Sequence, residues 1–426
     1  MRRACRGGGV MAVGALAARA PRGGIGRWLR MPPTAPPSSE HPPATSSGLT
    51  YARKRLWLGI TGVGTAVVVA LAALVAGLPA RLLSDAVSQP LPEALRALAL
   101  PMLAVVGLAV PFDLLGGAVI VRERPPLGVA LARWARGVAV QLVVWMVTAA
   151  LLLVAARAGG VTAALGAFVL LQLALAQGRL PLARLIAPLP FLPVPPRVSQ
   201  LAQQAGIAPE RVRVVDADDA GFVGGWSGIR PRTLVVPARW LSLPDAPLLA
   251  VLRRRQAIAA SGAHQRGVLG AVAWNTLGAS VVVALTGAPL GSAAGVLTLA
   301  AGMTLWAFAG VLLLPTPSRA AVFAVDALAA RAGAAAALAE ALPPLDRWQD
   351  DEPHRSAGVE VVFHPVPALG ARLARLRAGA GAPVARPAHH LARHALWLGW
   401  GTLSPLSRLV HCNVGRPALW AMLPGD

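Results

Sequence analysis

Six uninterrupted apolar runs constrain this chain more than any other feature. Leu56 to Leu78, Ala97 to Val121, Gly137 to Ala155, Val161 to Ala176, Val268 to Leu285 and Ala294 to Leu314 carry one charge between them, Asp113. Crossing a hydrocarbon core takes about 20 such residues. Val161 to Ala176 is the shortest, and the last two runs form a late hairpin. Water-soluble domains carry about 25% charged residues. This chain carries 14%, with 55% hydrophobic residues. The expected architecture is therefore a mostly α, polytopic membrane protein with about six transmembrane helices.

The net charge of +22 follows the membrane rather than a nucleic acid. Nearly all of it is arginine. Arg2, Arg3, Arg6, Arg53, Lys54 and Arg55 precede the first run, and Arg122, Arg124, Arg133 and Arg136 follow the second. The alternate loops are sparse: Arg81, Asp85, Glu93 and Arg96 cancel, and Arg157 stands alone. Positive residues collect on the cytoplasmic side of membrane proteins. The expectation is a multi-pass protein of the cell (plasma) membrane, with its N-terminus and the segment after the fourth run cytoplasmic. Single-strand nucleic-acid binders interleave basic residues with aromatic ones. No such stretch occurs, so the expected partners are the lipid bilayer and a peptide or membrane protein, not a nucleic acid. Cys5 and Cys412 are too few for a disulfide framework or a cysteine zinc site.

Residues 1–50 are rich in Arg, Gly, Pro and Ser and read as a disordered tail. Val10 to Ala18 is apolar but is cut short by Arg19, which argues against a cleaved signal peptide. Residues 51–184 form a four-span region. The proline-rich stretch Leu185 to Pro196 reads as a linker. A small mixed domain then occupies 185–266. It has a helix over Arg197 to Ala205, strands at Val212 to Asp216 and Thr233 to Pro237, and a hairpin-like Gly221 to Arg232 between them. Leu248 to His264 has helical spacing and begins after Pro244-Asp245. A membrane hairpin, 267–316, interrupts this domain. It resumes over 317–380 with an alanine-rich helix from Ser318 to Leu342, a charged loop from Pro343 to Gly358 and a short helix near Arg372 to Arg377. Residues 381–426 read as an unassigned tail.

This order resembles the membrane zinc metallopeptidases that include the CAAX prenyl endopeptidases and the heat-shock membrane proteases (peptidase family M forty-eight). In that family a strand hairpin leads to a helix bearing His-Glu-x-x-His. A membrane hairpin follows, then a helix bearing Glu-x-x-x-Asp, then a His-Pro stretch. Here the similar segments are Arg211-Val212-Arg213-Val214-Val215, Gly221-Phe222-Val223-Gly224-Gly225, Thr233-Leu234-Val235-Val236-Pro237, Pro247 to Leu252, Ser318-Arg319 with Asp326, and His364-Pro365 with Arg372. The resemblance implies a small cytoplasmic α+β, zincin-like domain split by the membrane hairpin. It also implies a peptide groove at Gly221, Phe222, Val223, Gly224 and Gly225. Yet the positions that match the zinc histidines hold Arg254 and Ile258, the general base holds Arg255, and the glutamate ligand holds Val322. Asp326, His364 and Arg372 remain.

The chemistry of that motif makes the losses meaningful. Histidines at i and i+4 aim two lone pairs at one metal, and the glutamate takes a proton from the bound water. Arginine has no lone pair to offer and stays protonated. Each unit-charge pair about 4 Å apart repels by about 4 kcal/mol at an effective dielectric near 20. No metal and no cofactor is therefore expected, and a degenerate, non-catalytic member of the fold is the leading reading. An active metalloendopeptidase that holds zinc through displaced ligands is the alternative. The resemblance places Asp326 close to the helix of Arg254, which implies one geometric expectation: Arg254 or Arg255 pairs with Asp326, because a buried charge without a partner is costly. Asp113, inside the second run, is expected to pair with Arg122 or Arg124. His390 and His394 are expected to be a solvated or membrane-edge cluster, and Asp216, Asp218 and Asp219 a local turn.

Overall fold

The computed structural model of the protein describes residues 49–122, 124–349, 351–379 and 386–420. The disorder expected of residues 1–50 falls almost wholly outside them. Every apolar run becomes helix, because only internal backbone pairing satisfies polar groups away from water. The chain begins with α1 (Tyr51–Val75), α2 (Leu78–Leu82) and α3 (Leu91–Leu114). One long helical stretch, α4 (Leu127–Gln177), holds both the third and the fourth run. It breaks at Gly159 and Gly160, and Gly160 takes φ 68°, which a side chain would resist. A short α5 (Arg179–Ile186) reaches into the start of the stretch read as a linker, and a two-residue strand β1 (Phe191–Leu192) lies within it.

The mixed region follows in the expected order: α6 (Pro196–Gln204), β2 (Val212–Val215), β3 (Gly225–Ser227), β4 (Thr233–Pro237) and α7 (Asp245–Ala260). The sheet order is β1-β2-β4-β3. Strands β2 and β4 run parallel with Val214 opposite Val236, while β3 and β4 form an antiparallel hairpin with Trp226 opposite Leu234. The late hairpin is α8 (Ala263–Thr286) and α9 (Ala293–Leu313). Then come α10 (Pro315–Ala329), a π turn, and α11 (Ala335–Gln349). The charged loop expected over Pro343 to Gly358 is shorter: 351–356 are irregular, and residues as far as Gln349 are the end of α11. Leu338, Ala341, Leu342 and Leu345 share its buried face, and their burial outweighs the helix-breaking prolines. α12 (Ala357–Phe363), α13 (Leu369–Arg377), α14 (Leu391–Gly401), α15 (Leu406–Leu409) and α16 (Pro417–Trp420) complete the chain.

Among the described residues six helices are long and apolar enough to cross a membrane. The number matches the expectation by a different count. Runs three and four share α4, and the sixth helical stretch is Pro315–Gln349. The loops fall into two groups. Arg157 Nε donates to the Gly291 carbonyl at 2.8 Å, and Ala294 N donates to the Ser84 carbonyl at 3.4 Å. The three charge-poor loops thus gather at one end of the bundle.

The segment read as a tail is the largest correction. Residues 386–420 are folded and form part of the main core: Trp397, Trp400 and Trp420 are fully buried. Trp145 Nε1 donates to the Trp400 carbonyl at 2.7 Å, and Thr148 Oγ1 to the Gly401 carbonyl at 2.8 Å. That core also contains Val215, Phe222 and Val235 from the sheet region, so helices and sheet are one packed body.

Asp113 corrects a second expectation. It continues the buried stripe Leu98, Met102, Val106 and Ala109 of α3, so it points inward and away from the loop arginines. Its partner is Arg408, with Nη2 2.7 Å from Oδ2. Trp134 Nε1 and Gly415 N each donate to it at 3.0 Å. Gly415 has φ 72°, and a Cβ there would come within 2.2 Å of the Asp113 carbonyl. Arg122 instead lies 3.7 Å from Asp351.

Arg55 fastens the C-terminal segment to α1. Its guanidinium donates to the carbonyls of His411 at 3.0 Å, Gly116 and Ile120 at 2.9 Å, and Val414 at 2.8 Å. A lysine presents a point charge rather than this fork. Arg55→Lys is expected to lower stability by about 2 kcal/mol through acceptors that go unserved. Thermal unfolding in detergent reads this, and an unchanged midpoint would remove Arg55 from the account of how the segment is held.

Candidate functional site

The site is built where α7 crosses α10. The buried stripe of α7 runs Leu248, Val251, Leu252, Arg254, Arg255 and Ile258 at helical spacing. Arg254 and Arg255 therefore point into the protein, at 2% and 3% exposure, and are not a solvated face. On α10 the matching stripe is Ser318, Ala321, Val322, Val325 and Asp326.

Asp326 joins the two helices. Arg254 Nε donates to its Oδ1 at 2.5 Å. Arg372, from α13, donates through Nε to Oδ2 at 2.8 Å and through Nη2 to Oδ1 at 2.9 Å. The expected Arg254–Asp326 pair is present, and the second arginine was not anticipated in it. All three side chains are buried. Arg372 supplies the two-pronged geometry that suits a carboxylate.

Arg255 turns the other way. Its Nη2 donates to the Val223 carbonyl at 3.3 Å, and its guanidinium sits 5.5 Å from the centre of the Trp240 ring. Trp226 Nε1 donates to the Arg255 carbonyl at 2.6 Å. The helix thus holds the β3 hairpin in place. Gly221, Phe222, Val223, Gly224 and Gly225 are all buried; Gly221 lines a cavity of about 300 Å³, and Gly224 and Gly225 one of about 30 Å³. A Cβ on Gly221 would strike the Arg416 guanidinium, and one on Gly224 would come within 2.2 Å of the Val235 carbonyl. Arg416 in turn pairs with Asp219, its Nε 2.7 Å from Oδ2. Burial pushes the Asp219 carboxyl up, but Arg416 outweighs it and holds the group below its ordinary value. Asp218 lies 2.6 Å from Arg133. The acidic turn is more than local: it anchors α4 and the C-terminal segment, while Asp219 also accepts from Gly221 N at 2.8 Å.

Beside Arg255 lies a cavity of about 30 Å³ lined by Arg179, Arg393, His264, His389, His390 and His394, with Gly225 and Ile258. His390 and His394 are buried, against the solvated reading, because α14 packs on α8 and α4. The His264 and His394 rings meet edge to face with centres 5.3 Å apart, and the His389 and His390 rings lie 3.8 Å apart. Burial, then the charge on Arg179 and the neighbouring imidazoles, pushes His394 well below its ordinary pKa, so it is neutral at pH 7. Burial and Arg393 lower Arg179 to about 10, which leaves it charged. His364 stands elsewhere, its ring 4.8 Å from that of His411. Arg319 holds the His-Pro segment by donating to the Glu360 and His364 carbonyls at 2.6 and 3.1 Å.

The chemistry open to this arrangement is limited. Guanidinium groups, isoleucine and valine cannot ligate zinc. The positions where the resemblance would place its ligands hold Arg254, Ile258 and Val322, and these side chains do not fit the ion. Among the described residues no group of three or more His, Cys, Asp or Glu side chains is arranged to hold a metal. No protein-family model and no curated protein matches this chain. Function therefore has to be argued from the site. Local sequence gives little sign of Arg179, Arg393 or Arg408. The signal that points to their surroundings is the crowding of Trp397, Trp400 and Trp420 among the leucines and alanines of the C-terminal stretch.

Proposed function

We propose that this is a multi-pass cell-membrane protein with a zincin-like, metallopeptidase-derived region that does no peptidase chemistry and serves to bind a peptide or membrane-protein partner. The observation that carries the reading is the Arg254–Asp326–Arg372 cluster. It fills the place where the resemblance puts a metal, and it supplies fixed positive charge where a divalent ion would need donors. The order of strands, late membrane hairpin and second helix supports the same origin. The excess of arginine before α1 and between α3 and α4 supports a cytoplasmic N-terminus and a cytoplasmic sheet region. Because Gly221 to Gly225 are buried, with Arg416 packed on Gly221, a partner engages either by displacing the C-terminal segment or at the membrane-facing helices.

Metal analysis of the full-length protein purified in detergent tests the central claim. No stoichiometric zinc is expected, and no proteolysis that a chelator abolishes. One tightly held zinc per chain, together with chelator-sensitive cleavage of a peptide, would restore the active endopeptidase with displaced ligands.

A further inference from the structure

A second cavity, of about 300 Å³, lies between α1 and α9. Ile60, Val63 and Gly64 of α1 line it on one side, and Phe308, Val311 and Leu312 of α9 on the other. Its opposite end is polar, with His364, Arg393, His411 and Arg416. Ligand sites share this size and makeup: mostly apolar walls with a few convergent polar groups. Both walls are helices long and apolar enough to cross a membrane. Leu312 is 40% exposed, so the wall is not sealed from the surrounding phase.

The polar end has one sign of charge. Arg393 lines this cavity and also the small cavity that holds Arg179, Arg255, His389 and His390. Among the described residues no carboxylate lines either space, and Arg416 already engages Asp219. An amphiphile complements such a site when its chain is apolar and its head is acidic. Arginine is the side chain best suited to phosphate oxygens.

We propose that this cavity binds an acidic phospholipid, with an acyl chain between α1 and α9 and the phosphate at the arginine and histidine end. A lipid reaches it from the bilayer without crossing water. The site shares Gly221, His364 and Arg416 with the peptidase-derived reading but does not depend on it, and survives if that reading fails.

The test uses the full-length protein in nanodiscs with phosphatidylglycerol that carries a diazirine at the end of one acyl chain. Phosphatidylcholine with the same chain is the comparison, and labelled peptides are mapped by mass spectrometry. Labelling is expected in the segments 56–64 and 308–315, several-fold heavier with the acidic head. Gly64→Trp and Leu312→Trp should each reduce it several-fold while the protein stays monodisperse. A side chain at Gly64 enters open space, with no atom within 4 Å of its Cβ, so this variant fills the cavity without forcing the backbone. Equal labelling by the two headgroups overturns the proposal. So does labelling that is spread over other helices and unmoved by both substitutions.

Discussion

Ending the chain at Gly379 is expected to abolish folding, so that no monodisperse protein is recovered from detergent. The removed residues include Trp397, Trp400 and Trp420, all fully buried. Truncating one buried tryptophan to alanine costs about 3–5 kcal/mol. Losing three of them together with the Asp113–Arg408 and Asp219–Arg416 pairs exceeds the 5–15 kcal/mol that holds a typical domain. The loss also leaves Asp113 buried against α4 without its arginine. Trp400→Ala is the milder variant. It is expected to fold and to lose about 3–5 kcal/mol, read by thermal unfolding with size-exclusion detection. Recovery of the shortened chain with an unchanged melting temperature would show that residues 386–420 are an appendage, and that their burial adds nothing.

That segment also shows where sequence reading stops. The apolar runs and the strands at Val212 and Thr233 were legible because each is decided locally, by hydrophobic period and length. The C-terminal stretch was not, since its character depends on distant residues. Arg416 meets Asp219 197 residues away, and Gly415 meets Asp113 302 residues away. Without those acids, its four arginines and four histidines leave the stretch unassigned. The site divides in the same way. The pairing of Arg254 or Arg255 with Asp326 is expected because the resemblance sets Asp326 beside that helix and a buried charge needs a counter-charge; the structure pairs Arg254. Arg372 had been noted only as part of the His-Pro resemblance, and its place on Asp326 follows from how α13 packs. The burial of Gly221 could not be read at all, since the residue packed on it is the distant Arg416.

Asp326→Ala is expected to destabilise the protein by about 3–5 kcal/mol, the usual cost of taking one partner from a buried charge cluster. The carboxylate accepts charge-assisted hydrogen bonds from Arg254 and, in two-pronged fashion, from Arg372. Its loss leaves two guanidinium groups facing each other between α7, α10 and α13. A second variant separates structure from mere charge balance. Replacing Arg254, Asp326 and Arg372 together by Met, Leu and Met removes the charges along with the desolvation they impose. Such exchanges are often neutral or stabilising by about 1–4 kcal/mol. The triple variant is therefore expected to melt at or above the unmodified protein, while the single variant melts well below it. If the single substitution costs under about 1 kcal/mol, Asp326 does not staple the helices. If the triple variant is as unstable as the single one, the cluster is not interchangeable with an apolar core. The ion triad would then be required in itself for α7 to sit against α10, holding by charge two helices that the metallopeptidase resemblance would join through a metal.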